Sequence, residues 1–362
     1  MKTALLHYWL LSMRGGENVL AEIARLYPDA DIFTHAYRAE TMDRVFGRHK
    51  ITESFIGHFP GARKSCQKYL PFMPLALERF DLNGYDLIIS SESGPAKGIR
   101  KPADAKHICY CHTPMRYVWD MYEDYYRAAG LGGKIAMKLF RKYLQKYDLR
   151  SAGSVDLFVA NSRFVAERIK RIYRRDSVVV HPPVDCGFFS EGKYCKKEYY
   201  LFAGQLIPYK RPDLALEACR KLGRKLVFVG TGSMEKELKK RAGHDVEFAG
   251  RVSGEKLRQY YAEARALLFP GIEDFGIVPL EAQAAGTPVI AFGAGGALET
   301  VQANKTGLFF DRADAETLAQ AILEFENRIW DDAPCRTRAA EFSPSVFREK
   351  FRDAVQSVLP QK

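Results

Sequence analysis

Short apolar runs alternate with stretches of helical period along the whole chain, and this alternation restricts the fold more than any other feature. In the first half "TALLHY", "YDLIISS", "KHICYCH", "DLFVANS" and "SVVVHPP" read as strands. In the second half "YYLFAG", "KLVFVGTG", "VEFAG", "ALLFP", "TPVIAF" and "TGLFF" repeat the rhythm. The pattern predicts an α/β protein with parallel sheets covered by helices on both faces. Between the two series, "HPPVDCGFFSEGKYCKKEYY" mixes proline, glycine and charge and reads as a linker. A chain of 362 residues is long enough to bury two cores. The expected division is a first Rossmann-like domain over residues 1–190 and a second over 191–342. A closing helix at 343–362 has no strand after it and can pack on either domain.

The stretch "EDFGIVPLEAQAAGTPVIA" places two glutamates around a predicted helix start. "ARALLFP" before it reads as a buried strand, and Gly286 stops the helix before the next strand. Glu273 then sits in a loop at the carboxyl end of a strand, where open parallel sheets bind ligands. A helix starting at Ile277 aims the amides of Gly276, Ile277 and Val278 outward as an anion site. Gly276 permits close approach to the main chain, and Pro279 falls in the first turn, where its missing amide matters little. Glu281, just over one turn in, has the reach to accept two hydrogen bonds from a vicinal diol. The plain alternative for Glu273 and Glu281 is a solvated loop acid and a helix-face acid.

The wider context resembles glycosyltransferase family 4, retaining enzymes of the GT-B fold. "FPGIEDFGIVPLEAQAAGTPVIAFGAGGALETV" is similar to that family's donor-binding motif, "RGGENVL" to its first glycine-rich loop, "YCHTPMRYVWD" to its histidine segment and "YLFAGQLIPYKRPDLALEA" to the start of its donor domain. The resemblance implies two Rossmann-like domains facing each other across a cleft. It implies that Glu273 contacts the transferred sugar and Glu281 the ribose of a nucleoside diphosphate sugar, with Gly15 and Gly16 near phosphate or acceptor. It places His112 near the reacting sugar, against the plain reading of a histidine satisfied by backbone near Pro114. Lys210, read as opening a helix after "QLIPYK", would neutralise the diphosphate, helped by Arg211; its ordinary reading is a solvated lysine. Gln205 departs from the arginine of many family members and brings donors without charge. Arg251 and Val252 in "VEFAGRVSGEKL" would line the base pocket, or form an ordinary strand-to-helix turn.

The reaction implied is hexose transfer with retention, the leaving phosphate assisting the acceptor on the same face, since no nucleophile for a covalent intermediate is evident. "RYVWDMY" and "GGALETV" are similar to bacterial mannosyltransferases of polysaccharide and O-antigen assembly. GDP-mannose, or a close GDP-deoxyhexose, is therefore favoured over a UDP-sugar, with a glycan or lipid-linked glycan as acceptor. A non-catalytic nucleotide-sugar sensor is the rival class. No cofactor and no metal are expected, because "DAD" at 29–31 reads as a turn before a strand.

Net charge is +11, which suits an acidic partner without identifying it, and no nucleic-acid-binding motif accompanies it. Seven cysteines without a CxxC pair suggest free thiols in a reducing cytoplasm. The apolar opening "MKTALLHYWLLSMRGG" reads as a first strand and loop, since it lacks a small-residue cleavage site. Residues 133–150 and 163–175 each carry six basic residues. In the first of these, Ile135, Leu139 and Tyr143 form one helical side and Lys138, Lys142 and Lys146 another, with Arg141 adding charge. Two readings stay open: helices packed on the first sheet with solvated cations, or a peripheral surface for the inner face of the plasma membrane.

Overall fold

The computed structural model describes residues 1–359. The chain divides into two compact units, Met1–Pro183 with the residues from Phe347 onward, and Val184–Val346. Each is a parallel sheet between helical layers.

The first unit has strands β1 (Thr3–His7), β2 (Asp31–Thr34), β3 (Ile51–Glu53), β4 (Leu87–Glu92), β5 (Lys106–Cys111), β6 (Leu157–Ala160) and β7 (Ser177–Val179). Their order in the sheet is β3-β2-β1-β4-β5-β6-β7, all parallel. Central strands such as β1 and β4 are buried at every position, which is why they read as unbroken apolar runs. The edge strand β3 is only half-buried along its three residues, and its sequence carries no comparable signal. The pleat sends Leu5, Ile89, Ile108 and Tyr110 to one face. Ala4, Leu6 and Ile88 go to the other. The helix Pro344–Gln356 joins this unit: Phe347 and Phe351, four apart, stack on each other and enter the same core as Tyr110.

The second unit has β8 (Tyr199–Ala203), β9 (Lys225–Val229), β10 (Val246–Gly250), β11 (Ala266–Phe269), β12 (Val289–Phe292) and β13 (Gly307–Phe310), in the order β10-β9-β8-β11-β12-β13. Helix starts are set by short polar caps. Ser253 accepts from the Lys256 amide and Asp314 from the Thr317 amide. Among the described residues the seven cysteines are free thiols, and no helix is long and apolar enough to cross a membrane.

The basic helices differ from their sequence reading. In the helix Leu131–Ala152 the apolar and lysine rows are neighbours on one exposed face, and no residue from 131 to 143 is buried. Arg141 does not share that face: its guanidinium lies 3.8 Å over the Tyr122 ring, and its Nε donates to the Val118 carbonyl. The cations of 163–175 are largely engaged. Arg168 and Arg171 meet Asp120, Lys170 meets Asp176, and Arg175 donates to the carbonyls of Ala152 and Val155.

Candidate active site

In the second sheet the strand order reverses between β8 and β11, so the loops after those strands frame a crevice. Lys210 comes from the first loop and Glu273 from the second. Their Nζ and Oε1 atoms lie 2.7 Å apart, with each side chain mostly withdrawn from solvent. Gly271 allows this approach, because a Cβ there would stand 2.6 Å from the Lys210 Cα. Lys210 does not open the following helix: it ends a short 3₁₀ turn, Pro208–Lys210, and the helix Pro212–Leu222 begins after Arg211. Arg211 adopts a left-handed conformation at that junction, and Pro212 supplies a first-turn residue that needs no amide acceptor.

The helix Ile277–Ala284 starts where the sequence placed it. Gly276 is its N-cap at φ 92°, a conformation that disfavours any side chain, and no side chain caps the end. The amides of Ile277 and Val278 have no acceptor within the helix and point along its positive end. One turn on, Glu281 accepts a 2.8 Å hydrogen bond from the Tyr261 hydroxyl. Burial raises the Glu281 carboxyl above its ordinary range; the Tyr261 bond and the Lys210 charge oppose this, and the Glu273 charge adds to it. One ammonium thus stands among two carboxylates. Gln205 is exposed on the loop after β8, and Arg251 is exposed past the bulge that ends β10. Val252 is half-buried against the core. The Arg211 guanidinium is taken up by Asp213, at 2.9 to 3.1 Å, and is not presented as a phosphate ligand.

The first sheet reverses between β1 and β4. The loop after β1 leads into the helix Gly15–Leu26, which also lacks a side-chain cap. His112 follows β5, its amide bonded to the Glu92 carbonyl and its Nε2 2.9 Å from the Ser91 hydroxyl. A Cβ on Gly16 would lie 3.1 Å from the Tyr8 hydroxyl, 3.5 Å from His112 Nε2 and 3.6 Å from His7 Cε1, so these groups share one pocket of space. Burial, and then the charge of His7, push His112 down to about 3. Its imidazole is therefore neutral at pH 7 and acts as a hydrogen-bonding group. His7 is buried with both ring nitrogens lacking a hydrogen-bond partner, 3.7 Å from Glu17, whose Oε2 also lacks one.

His7, Tyr8, Glu17, Ser91 and Tyr261 were not singled out from sequence. His7 carried the same signal as His112, a histidine at a strand's carboxyl end. Tyr261 carried none, lying 20 residues before Glu281.

A family model described as Glycosyltransferase Family 4 matches residues 13–188, and one described as Glycosyl transferases group 1 matches residues 187–340. A D-inositol 3-phosphate glycosyltransferase from Mycobacteroides abscessus is 32% identical over 194 residues, 47% of this chain and 44% of that protein. A GDP-mannose-dependent alpha-(1-6)-phosphatidylinositol monomannoside mannosyltransferase from Mycobacterium tuberculosis is 39% identical over 139 residues, 33% of this chain and 36% of that protein. The matched stretch thus spans less than half of these relatives. Among solved structures, Anabaena HepE in complex with UDP superposes with a TM-score of 0.75 at 16% identity, covering 99% of this chain and 100% of that one. The lipopolysaccharide outer core galactosyltransferase WaaB in its apo form gives 0.69 at 16% identity, covering 99% and 100%. These two likenesses establish the GT-B fold.

Proposed function

The chain belongs to the group 1 glycosyl transferases of glycosyltransferase family 4, and from that premise we propose that it moves a hexose from a nucleoside diphosphate sugar to a glycan or lipid-linked glycan, retaining the anomeric configuration. The observation that carries this reading is the Lys210–Glu273 pair at the sheet's switch point, beside an uncapped helix start and Glu281. As the glycosidic bond breaks, negative charge builds on the leaving diphosphate. Lys210 and the amides of Ile277 and Val278 stabilise it in a site prepared in advance. Glu281 accepts from the ribose hydroxyls, and Glu273 holds the transferred sugar while fixing the Lys210 ammonium. By the family resemblance, neutral His112 offers a hydrogen bond to a sugar hydroxyl. The acceptor hydroxyl attacks on the face that the phosphate leaves, and its proton passes to that phosphate.

GDP-mannose is the favoured donor, supported by the mannosyltransferase relative and by the "RYVWDMY" and "GGALETV" segments. The proposed setting is the cytoplasm, in bacterial polysaccharide or lipopolysaccharide assembly. With fixed cationic and amide groups serving the phosphates, turnover is expected to survive EDTA.

The test is release of nucleoside diphosphate from GDP-mannose, a GDP-deoxyhexose and UDP-glucose, with and without glycan acceptors, followed by the product's anomeric configuration. Preference for a UDP-sugar overturns the donor assignment. Tight donor binding without release on any acceptor supports a nucleotide-sugar sensor instead. EDTA inactivation reversed by manganese or magnesium overturns the metal-free reading.

A further inference from the structure

The helix Leu131–Ala152 leaves one face of its first three turns uncovered. Leu131, Ile135, Leu139 and Tyr143 recur every four residues and are 84%, 68%, 69% and 45% exposed. Lys134, Lys138, Lys142 and Lys146 form a second row at the same spacing, one step round the helix. Burial is confined to the far end, at Leu144, Tyr147, Asp148, Ser151 and Ala152. Asp148 is the helix's single acid, and it is buried against Lys97, so no carboxylate on this helix offsets the lysine row. Leucine and isoleucine side chains exposed to this degree and aligned over about 18 Å of helix need an apolar partner.

We propose that this face is a docking surface for an anionic lipid bilayer. The helix lies in the interface plane, with Leu131, Ile135 and Leu139 in the boundary between headgroups and acyl chains. Lys138, Lys142 and Lys146 extend along the surface to lipid phosphates, their methylene stems covering apolar area. The combination selects the partner. A soluble polyanion would use the lysines and leave the leucines in water. A second copy of the chain meeting this face symmetrically would bring two lysine rows together. No helix among the described residues can span a bilayer, so the contact is peripheral. The surface does not depend on the transferase reading, and its test needs no turnover.

The full chain is sedimented with vesicles of phosphatidylcholine containing about one-third phosphatidylglycerol, and with pure phosphatidylcholine vesicles. Binding to the anionic vesicles is expected, falling as salt rises. Replacing Lys138, Lys142 and Lys146 together by glutamine should lower partitioning by roughly a hundredfold, on the order of fivefold per lysine. The pair Ile135→Gln and Leu139→Gln should lower it at least tenfold while leaving the thermal midpoint unchanged, since neither side chain is packed. Absence of binding at low salt overturns the proposal, as does unchanged partitioning by the apolar pair. A dimer in solution that dissociates in the apolar pair would assign the face to a second copy and overturn it too. Nucleotide affinity measured on the same preparations reports separately on the transferase reading.

Discussion

The two units share a doubly wound topology and arrange polar groups differently where their strand orders reverse. The second unit gathers ionised groups near its surface, with Lys210 bridging to Glu273 and the Glu281 carboxylate one helical turn away. The first unit gathers imidazoles: neutral His112 against Ser91, and His7, without a hydrogen-bond partner, 3.7 Å from the buried Glu17. Its buried ammonium lies in a separate cluster. Lys97 is wholly buried between Glu92 and Asp148, and Asp148 also accepts from Tyr173 and Trp119. That cluster ties the end of β4 to two helices and to the segment after His112. Topology supplies a strand-end crevice in both units. Local packing decides whether charge there is available to a ligand or committed to holding the scaffold.

The largest effect that would break this comparison comes from removing one member of the buried cluster. Asp148→Ala leaves the Lys97 ammonium with one carboxylate and strips partners from Tyr173 and Trp119. A loss of about 3–5 kcal/mol is expected, because the buried ammonium loses one of its two carboxylate partners and the Tyr173 hydroxyl and Trp119 Nε1 lose their buried acceptor. Denaturant unfolding should show that loss in the first unit's transition and leave the second unit's midpoint in place. A loss under about 1 kcal/mol, well below what breaking such a pair costs, would mean that the cluster does not carry the scaffold.

That cluster was also what the sequence concealed most completely. Lys97 was not singled out from sequence, and its partner Asp148 lies 51 residues on, within a lysine-rich helix. Period and punctuation reveal strands, helix starts and loop ends, so Glu273, Gly276 and Glu281 could be set at a loop end and a helix start, while their roles and that of His112 came from the family resemblance. Pairing between distant side chains has no such signature. Arg211 shows the same limit at short range, since Asp213 two residues away removes it from the site. The amphipathic helix at 131–152 was legible as a helix, but which face a neighbour would cover was not.

On the second unit, Glu281→Ala removes a charged acceptor. Affinity for free nucleoside diphosphate should fall roughly ten- to a hundredfold, equivalent to about 1.5–3 kcal/mol. Glu273→Gln should reduce turnover more than it reduces affinity for free nucleotide, because its proposed contact is with the sugar. Titration calorimetry with the nucleotide, set against steady-state turnover, separates the two. Unchanged nucleotide affinity in the Glu281 variant would remove it from the ribose site, and equal losses for nucleotide and intact donor would remove Glu273 from the sugar.

A smaller contrast is expected in acid. His35 and His107 are buried in the first unit, each beside a serine hydroxyl, and burial lowers both to about 3. Unfolded, they titrate near ~6.5, so the unfolded chain binds more protons between that value and about 3. First-unit stability should therefore fall as pH is lowered through this window, by up to about 1.4 kcal/mol per pH unit for each histidine. The second unit holds only His244, which is exposed, and should lack this slope. Equal slopes in both transitions between pH 7 and 5 would show that these histidines are not the cause.

The smallest effect sharpens the charged side of the comparison. The Tyr261 hydroxyl donates to Glu281 and so favours its ionised form, against the burial that raises that carboxyl. Tyr261→Phe keeps the ring in its buried place and deletes only the donor. The carboxyl should then hold its proton to higher pH, and a protonated Glu281 accepts ribose hydrogen bonds poorly. Removing one hydrogen bond costs on the order of 1 kcal/mol after solvent compensation, or about fivefold in nucleotide affinity on the acid side of the Glu281 titration. On the alkaline side, where the carboxyl is ionised in both proteins, the two affinities should converge. A wild-type to variant ratio that does not change with pH would mean that Tyr261 merely packs beneath the site, and that the ionisation of Glu281 is governed by Lys210 and burial alone.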